Sequence, residues 1–249
     1  MSLLKMHARH KRVRRSLGYH RSLLHRGRLV CMNASAIPLQ FHPPARVHHP
    51  LERLLRANLQ GDVWFDAFSR GRYATDASIY QIDPIGVVIP RTQDDARAAL
   101  QIAADQEVPI LARGAGTSQC GQTVGAALVI DCSKYLNQVI EVDVAAREAT
   151  VQPGVVLDQL NARLRAHNLW FPVDVSTSAQ ATLGGMAGNN SCGSKSIRYG
   201  LMADNVTAID ALLADGSRFR FADLPAACWT DAVETPVERI GNSPSRTVP

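Results

Sequence analysis

The sequence predicts an α+β fold made of two small subdomains, each carrying one glycine-rich loop. Between residues 85 and 221, short apolar runs that fit strands are interspersed with segments of helical periodicity. One glycine-rich stretch, at 113–121, follows an apolar run in the first half of this region, and a second, at 184–200, lies in the other half. The chain has 249 residues and is 46% hydrophobic, which is enough to bury a sizeable core.

The positive net charge of the chain resides at its N-terminus. Residues 1–51 hold ten of the 27 Lys and Arg, seven of the eight His and no acidic residue, whereas the remainder holds 17 basic and 22 acidic residues. The basic balance therefore does not indicate nucleic-acid binding by the globular part. No apolar run reaches the ~18 residues of a membrane span. The five cysteines are widely spaced, so we expect no metal site, and they suit a reducing compartment.

Residues 1–50 are predicted to form a basic, disordered leader. Three interpretations compete for residues 1–31. An Arg-rich, acid-free segment is typical of a mitochondrial transit peptide, but it could also be a basic arm that touches nucleic acid or anionic lipid. We favour the third interpretation, an extension upstream of a true start at Met32, because the composition changes directly after that residue.

Residues 51–84 form a lead-in to the regular part of the chain. Three leucines on one face, Leu51, Leu54 and Leu55, predict a short helix over 51–59. The polar, aromatic-dotted segment 65–80 is predicted to be largely irregular.

Residues 85–142 are predicted to form the first subdomain, a βαββ unit. A strand at 86–90 precedes a helix that begins after the N-cap Thr92 and ends near residue 106. A second strand at 108–112 enters the first glycine loop, and two further strands follow at 128–131 and 138–142. The loop therefore lies at the carboxyl end of a strand, where α/β sheets usually bind ligands.

Residues 143–223 are predicted to form the second subdomain. It comprises a strand at 148–152, a helix from about residue 154 to His167, and a hairpin of 206–214 with 217–221 around a two-residue turn. His167 lies at the helix end and is interpreted as a surface residue. Residues 224–249 contain four prolines and are predicted to be an irregular tail.

The two glycine-rich stretches predict complementary ligand surfaces. Residues 113–118 (RGAGTS) offer consecutive backbone N–H groups and two hydroxyls, which suit a pyrophosphate. Gln119 replaces the third glycine of a dinucleotide fingerprint and no GK[ST] of a P-loop follows, so a tight structural turn remains the alternative. Residues 184–200 contain five glycines, which favours a backbone surface against a large flat or anionic ligand. A long flexible loop is the alternative there.

Three motifs in this order carry a family resemblance: PILARGAGTS…G, FPVDVSTSAQATLGGMAGNNSCG…RYG and ADNV…LLADG. Together they resemble the PCMH-type FAD-binding domain of the vanillyl-alcohol oxidase superfamily. Within it, the chain is most similar to the FAD-linked D-2-hydroxyacid dehydrogenases, which include D-lactate dehydrogenase, the glycolate oxidase flavin subunit and D-2-hydroxyglutarate dehydrogenase. The segment 65–90 resembles members fused to an iron–sulfur domain, and the resemblance covers roughly residues 62–221.

The resemblance implies that FAD lies between the two subdomains. The residues implied to hold its pyrophosphate are Arg113, Gly114, Ala115, Gly116, Thr117, Ser118, Gly121 and Gln122. The residues implied to line the flavin ring and ribityl chain are Pro172, Asp174, Thr182, Gly184, Gly185, Asn189, Asn190, Ser191 and Gly200. Relatives with covalent flavin carry a histidine at the position of Thr117, so the resemblance implies non-covalent FAD. Cys192 is interpreted as a small packing residue.

The resemblance also implies an activity. Relatives oxidise a D-2-hydroxy acid (D-lactate, glycolate or D-2-hydroxyglutarate) to the 2-oxo acid and pass electrons to a quinone, cytochrome or iron–sulfur centre outside this chain, not to NAD. Their catalytic base lies in a C-terminal cap domain that this sequence lacks, so no catalytic residue is assigned and the chain is interpreted as truncated. A cytoplasmic location, or one peripheral at the membrane, is expected, and a mitochondrial one if residues 1–31 are a genuine leader.

Other functions remain open at this point. Another superfamily member, such as an alkylglycerone-phosphate synthase, would share the motifs. A flavin-binding subunit, or an inactive remnant that binds FAD without turnover, would share them too.

Overall fold

The computed structural model describes residues 3–10 and 49–222. Its strands are β1 (Leu3–His7), β2 (Arg9–His10), β3 (Asp62–Trp64), β4 (Gly86–Ile89), β5 (Ile110–Arg113), β6 (Leu128–Asp131), β7 (Val139–Asp143), β8 (Glu148–Val151), β9 (Leu169–Trp170), β10 (Val206–Leu212) and β11 (Arg218–Ala222). Its helices are α1 (Pro50–Asn58), α2 (Ala67–Tyr73), α3 (Gln93–Asp105), α4 (Leu157–Arg165), α5 (Leu183–Gly188) and α6 (Ser196–Tyr199), with a 3₁₀ turn at Ala203–Asn205. The predicted α+β class is confirmed.

The first subdomain is a four-stranded sheet of order β3-β4-β6-β5. Strands β4, β6 and β5 are parallel, whereas β3 pairs antiparallel with β4 at the edge. All four residues of β4 and of β6 are buried, as expected for parallel strands covered on both faces. Helices α1 and α3 pack on one face through an apolar cluster that includes Leu55 and Ala99.

Local sequence signals explain how this subdomain presents its loop. Thr92 caps α3 by accepting a hydrogen bond from the backbone N–H of Asp95, as the sequence predicts. The chain then enters β5, which ends at Arg113 opposite Asp131 of β6. The first glycine loop therefore begins at the carboxyl edge of the parallel strands.

The second subdomain is a five-stranded antiparallel sheet of order β11-β10-β1-β8-β7. Helix α4 buries Leu157, Leu160 and Leu164 against it, as its leucine spacing predicts. The same core includes Leu183 and Met186 of α5, so the second glycine-rich stretch is anchored to the sheet at its start.

The N-terminal strand corrects the prediction of a disordered leader. Residues 3–7 lie between β8 and β10 as the central strand of the second sheet. Leu4 and Met6 are fully buried, whereas Lys5 and His7 are not. This alternation is the period of a strand with one face on a core. The basic composition of the segment obscured the alternation in the sequence.

Three further elements differ from the sequence predictions. Segment 65–80, predicted to be irregular, contains α2, whose N-cap Asp66 accepts a hydrogen bond from the N–H of Ser69. Strand β7, predicted as the last strand of the first subdomain, pairs with β8 in the second sheet. The hairpin turn extends over residues 213–217, beyond the predicted two residues, with Gly216 at φ +79°. The partner strand of β7 was predicted wrongly because pairing between strands is not encoded in local periodicity.

The remaining predictions for the leader, residues 11–48, and for the tail, 224–249, lie outside the described residues. Within the described ranges, the helices are too short or too polar to cross a membrane.

Candidate cofactor cleft

The two glycine-rich stretches line one cleft between the subdomains. The cleft has a volume of about 800 Å³, within the roughly 300–1,000 Å³ of small-molecule and cofactor sites. One wall is the loop 114–123 that follows β5, and the other is formed by α5 and the residues after it. The predicted arrangement, with one loop of each subdomain facing the other, is confirmed.

Most of the residues that the sequence singles out line this cleft. They are Arg113, Gly114, Ala115, Gly116, Thr117, Ser118, Gln122, Thr182, Gly184, Gly185, Asn189, Asn190 and Ser191. Four others are not part of its lining: Gly121, Pro172, Asp174 and Gly200.

Gly114 and Thr182 bring the two walls into contact. A Cβ atom on Gly114 would lie 2.1 Å from Oγ1 of Thr182, so a residue with a side chain does not fit there. Thr182 is only 3% exposed, and its Oγ1 has no hydrogen-bond partner among the described residues. A buried hydroxyl without a partner is costly. An orphaned hydroxyl on the wall of the cleft fits a site that a bound cofactor completes.

Arg113 supports the first loop from beneath. Its guanidinium donates hydrogen bonds to the carbonyls of Tyr73 (3.1 Å), Thr75 (2.7 Å) and Thr123 (2.9 Å). A Cβ on Gly116, which has φ +68°, would lie 2.5 Å from Nη2 of Arg113. Burial lowers the pKa of Arg113, and the nearby Asp131 carboxylate acts against this shift. These three hydrogen bonds of the guanidinium go to backbone carbonyls, which fits a role in shaping the loop.

A buried pair lies next to this arginine. Tyr73 donates its hydroxyl proton to Oδ2 of Asp131 at 2.7 Å, and both residues are buried. Burial and the Asp131 charge raise the pKa of Tyr73. Oδ1 of Asp131 accepts from the N–H of Ser133 at 2.7 Å. The carboxylate is therefore bonded on both oxygens and belongs to the support of the loop.

Side chains also connect the walls on the outer side of the cleft. Nε2 of Gln122, on the first loop, donates a hydrogen bond to Oδ1 of Asn189 at the end of α5. Asn190 adopts φ +46° and accepts from the N–H of Ala203 at 2.9 Å. The first bond spans the two walls of the cleft, and the second holds the chain after α5.

Asp174 organises the second loop from outside the cleft. Its carboxylate accepts from the N–H of Lys195 at 2.9 Å and from Oγ of Ser194 at 2.8 Å. Partial burial acts to raise the pKa of Asp174, but these hydrogen bonds and the Lys195 charge outweigh it, so the pKa is lowered. A Cβ on Gly193 would lie 2.2 Å from the Asp174 carbonyl oxygen. Asp174 thus stabilises the second loop through its contacts with residues 193–195.

The other three residues outside the lining have structural reasons as well. Gly121, at φ +78°, is covered by the Tyr80 ring, since a Cβ there would lie 2.4 Å from Cδ2. Gly200 follows α6 with φ +81°, and a Cβ would lie 2.5 Å from Oδ2 of Asp204. Pro172 is buried.

Several cleft residues were missed by the sequence reasoning. Residues 175–177, Pro153, Met186 and Cys120 line the cleft. Cys192, interpreted from the sequence as a small packing residue, is instead exposed and also lines the cleft. The hydroxyl-bearing run between Asp174 and Thr182 was the available signal for 175–177. Among the described residues that line the cleft, none is Asp, Glu or His. In the described part of the chain, no group of three or more His, Cys, Asp or Glu is placed to hold a metal ion.

Comparison with known proteins identifies the class of domain. Residues 84–222 match the family model of an FAD binding domain. The match covers more than half of the chain, and the chain belongs to this family. The predicted family and its cofactor FAD are thereby confirmed, and the free Thr182 hydroxyl and the glycine-lined walls fit that cofactor.

Individual relatives are consistent with the family. The chain is 35% identical over 202 residues to the D-2-hydroxyglutarate dehydrogenase of Pseudomonas putida, covering 80% of this chain and 20% of that protein. It is 37% identical over 177 residues to the glycolate oxidase subunit GlcD of Bacillus subtilis, covering 68% of this chain and 36% of that subunit. The chain thus spans about a fifth to a third of the length of these relatives.

Solved structures share the fold. An alkyldihydroxyacetonephosphate synthase matches with a TM-score of 0.67 and 19% identity over 78% of this chain and 39% of that one. The 6-hydroxy-D-nicotine oxidase of Arthrobacter nicotinovorans matches with a TM-score of 0.60 and 20% identity over 72% and 38%. The predicted PCMH-type fold is confirmed.

Proposed function

We propose that this chain is the FAD-binding part of a dehydrogenase that oxidises a D-2-hydroxy acid to the corresponding 2-oxo acid. The observation that carries the proposal is the cleft in which both glycine-rich stretches of an FAD binding domain face each other. The substrate class rests on relatives of 35–37% identity that are named for D-2-hydroxyglutarate and glycolate.

The first loop would hold the FAD diphosphate. Its residues Thr117 and Ser118 line the cleft and offer hydroxyl donors, and Gly114 and Gly116 let a ligand approach the backbone N–H groups closely. Arg113 lies at the base of this loop, where its hydrogen bonds to backbone carbonyls hold the loop in shape.

The second wall would hold the flavin ring and ribityl chain. Gly184 and Gly185 line the cleft without side chains, so a planar ring can lie close to the backbone. The Thr182 hydroxyl, which lacks a partner among the described residues, would donate to or accept from this part of the cofactor. We expect non-covalent attachment, because Thr117, which lines the cleft, stands where covalently flavinylated relatives carry histidine.

Bound FAD would supply the chemistry by accepting a hydride from the substrate α-carbon. The residues of this chain would bind and orient the cofactor and exclude water from one side of it. The substrate hydroxyl proton needs an acceptor, and the residues that line the cleft in the described part of the chain include no carboxylate or imidazole. We therefore place the catalytic base, and an electron acceptor other than NAD, outside the described residues.

The test is a dye-coupled turnover assay of the FAD-loaded chain. D-lactate, glycolate and D-2-hydroxyglutarate are each offered with an artificial electron acceptor, with L-lactate and L-2-hydroxyglutarate as controls for the two chiral acids. Reduction of the acceptor with a D-acid supports the proposal. A chain that binds no FAD would contradict the proposal. FAD binding without turnover would show that this chain supplies the cofactor site alone, as expected if the catalytic base lies outside it.

The attachment is tested separately by acid precipitation of the loaded protein. Flavin released to the supernatant supports non-covalent binding. Flavin that stays in the pellet would contradict the argument from Thr117.

A further inference from the structure

The first loop depends for its shape on a segment that lies before both glycine motifs. This segment, residues 73–80, is called the brace here. Among the contacts of the described residues, it meets the loop at three points: at Gly116, at Gly121 and at Thr123. None of the brace residues lines the cleft itself.

Backbone groups of the brace bond to the first loop and to Arg113. The N–H of Ala77 donates to the carbonyl of Gly116 at 3.2 Å. Arg113 joins the carbonyls of Tyr73 and Thr75, in the brace, to that of Thr123, at the end of the loop. Both halves of the loop are thus tied to one short segment.

Asp76 provides the side-chain contact. Its Oδ2 accepts from the hydroxyl of Thr123 at 2.8 Å, and its Oδ1 accepts from the N–H of Ser78 at 2.8 Å. Partial burial acts to raise the pKa of Asp76, but the hydrogen bonds from Ser78 and Thr123 outweigh it and lower the pKa. The group is therefore a carboxylate at neutral pH. A bond of this kind to a charged acceptor is stronger than a bond between neutral groups.

Tyr80 closes the outer side of the brace. Its ring covers Gly121, where a Cβ would lie 2.4 Å from Cδ2, and this glycine has φ +78°. Residues 117, 118 and 122, which line the cleft, lie between the points that the brace fixes at 116, 121 and 123.

We propose that Asp76 is a positioning residue that, through Thr123, holds the first loop in the shape that binds the diphosphate of FAD. The inference rests on the proposed placement of the diphosphate on this loop. It predicts a selective defect: loss of the Asp76–Thr123 bond weakens binding of the diphosphate part of FAD and leaves the flavin part unaffected.

The test compares Asp76→Ala, Thr123→Val and the double variant with the wild-type 249-residue chain. Dissociation constants are measured for FAD, for ADP as a diphosphate probe and for riboflavin as a flavin probe. We expect each single variant to bind FAD and ADP on the order of tenfold more weakly, the loss typical of a hydrogen bond to a charged group. The dissociation constant for riboflavin should stay within about twofold of the wild-type value, which is the range expected of a neutral substitution.

The double variant and two controls isolate the bond. Because both single substitutions remove the same bond, the double variant should be no weaker than either one. Thr123→Ser keeps the hydroxyl and should bind ADP like the wild type. Asp83→Asn changes an exposed carboxylate close to the brace and should also bind like the wild type.

Three outcomes would overturn the inference. They are an unchanged ADP affinity in Asp76→Ala, an equal loss of riboflavin and ADP binding, and losses that add fully in the double variant. Failure of the wild type to bind FAD would overturn the proposed function itself. Wild-type FAD binding together with an unaffected Asp76→Ala variant would overturn only the role of Asp76.

Discussion

Gly114 and Thr182 meet across the cleft so closely that a Cβ on the glycine would lie 2.1 Å from the threonine Oγ1. The first residue of one loop and the N-cap of α5 on the other wall therefore touch where the two subdomains join. The contact leaves the threonine hydroxyl buried and without a partner among the described residues. This contact therefore affects both the packing of the two subdomains and the proposed binding of FAD.

Gly114→Ala should damage both stability and FAD binding. The added methyl forces the two walls apart, and overpacking of this kind costs about 1–3 kcal/mol. Displacement of Thr182 should also weaken FAD binding by at least about tenfold, since 1.4 kcal/mol corresponds to that factor. Thermal unfolding of the apo-protein and an FAD titration measure the two effects.

The matched control is Gly71→Ala. A Cβ on Gly71 meets nothing within 4 Å, and the residue lies inside α2. Alanine should stabilise the helix by about 0.5–1 kcal/mol and leave FAD binding unchanged. A Gly114→Ala variant that behaves like this control would show that the two walls do not meet there.

Asp174→Asn should make the protein less stable at neutral pH but not in acid. The folded pKa of Asp174 is lowered below its unfolded value of about 3.9. Its contribution is therefore fully present above that pH and is lost as the pH falls through the folded pKa. We expect Asp174→Asn to cost about 1 kcal/mol at pH 7, where the Ser194 and Lys195 bonds lose their charged acceptor.

Urea unfolding of both proteins over a series of pH values measures this difference. The gap between wild type and Asp174→Asn should close as the pH falls below about 4, near the unfolded pKa. A gap that is constant with pH, or one that widens in acid, would contradict the assignment. Asp83→Asn, at an exposed site, should show no gap at any pH.

Leu4→Ala should destabilise the protein strongly although it lies in a basic N-terminal segment. Leu4 is fully buried between β8 and β10, and a buried Leu→Ala change costs about 2–5 kcal/mol. Lys5→Ala, on the other face of the same strand, loses only a partly exposed ion pair with Glu148, which is worth at most about 1 kcal/mol. Equal effects of the two variants, measured by urea unfolding, would place residues 3–7 outside the sheet.

Elements with strong local signals could be predicted from the sequence. The N-cap Thr92, the leucines of α4 and the buried run of β6 each follow from the side chains at that point of the chain. Strand β1 could not be predicted, because its two core residues stand in a segment whose composition is that of a leader. Its place between β8 and β10 depends on pairing across more than 140 residues, which no local pattern records.

The residues of the candidate site likewise include some that the sequence could predict and some that it could not. The loop glycines were visible in the sequence, because glycine is needed where φ is positive or another group comes close, as at Gly116. The sequence did not show which polar residues line the cleft and which stabilise its loops. Asp174 faces its own loop, and the guanidinium of Arg113 bonds to backbone carbonyls, so both act on the shape of the cleft. The role of Asp76 was not predicted because its hydrogen-bond partner Thr123 is 47 residues away in the chain.

The most direct test of the central claim, that the two glycine-rich walls together form an FAD site, is the flavin content of the purified 249-residue chain. The protein is incubated with excess FAD, freed of unbound cofactor by gel filtration and examined by visible absorbance. We predict flavin bands equivalent to a single FAD per chain, and their loss in Gly114→Ala. A wild-type protein that is folded by circular dichroism yet retains no flavin would contradict the account.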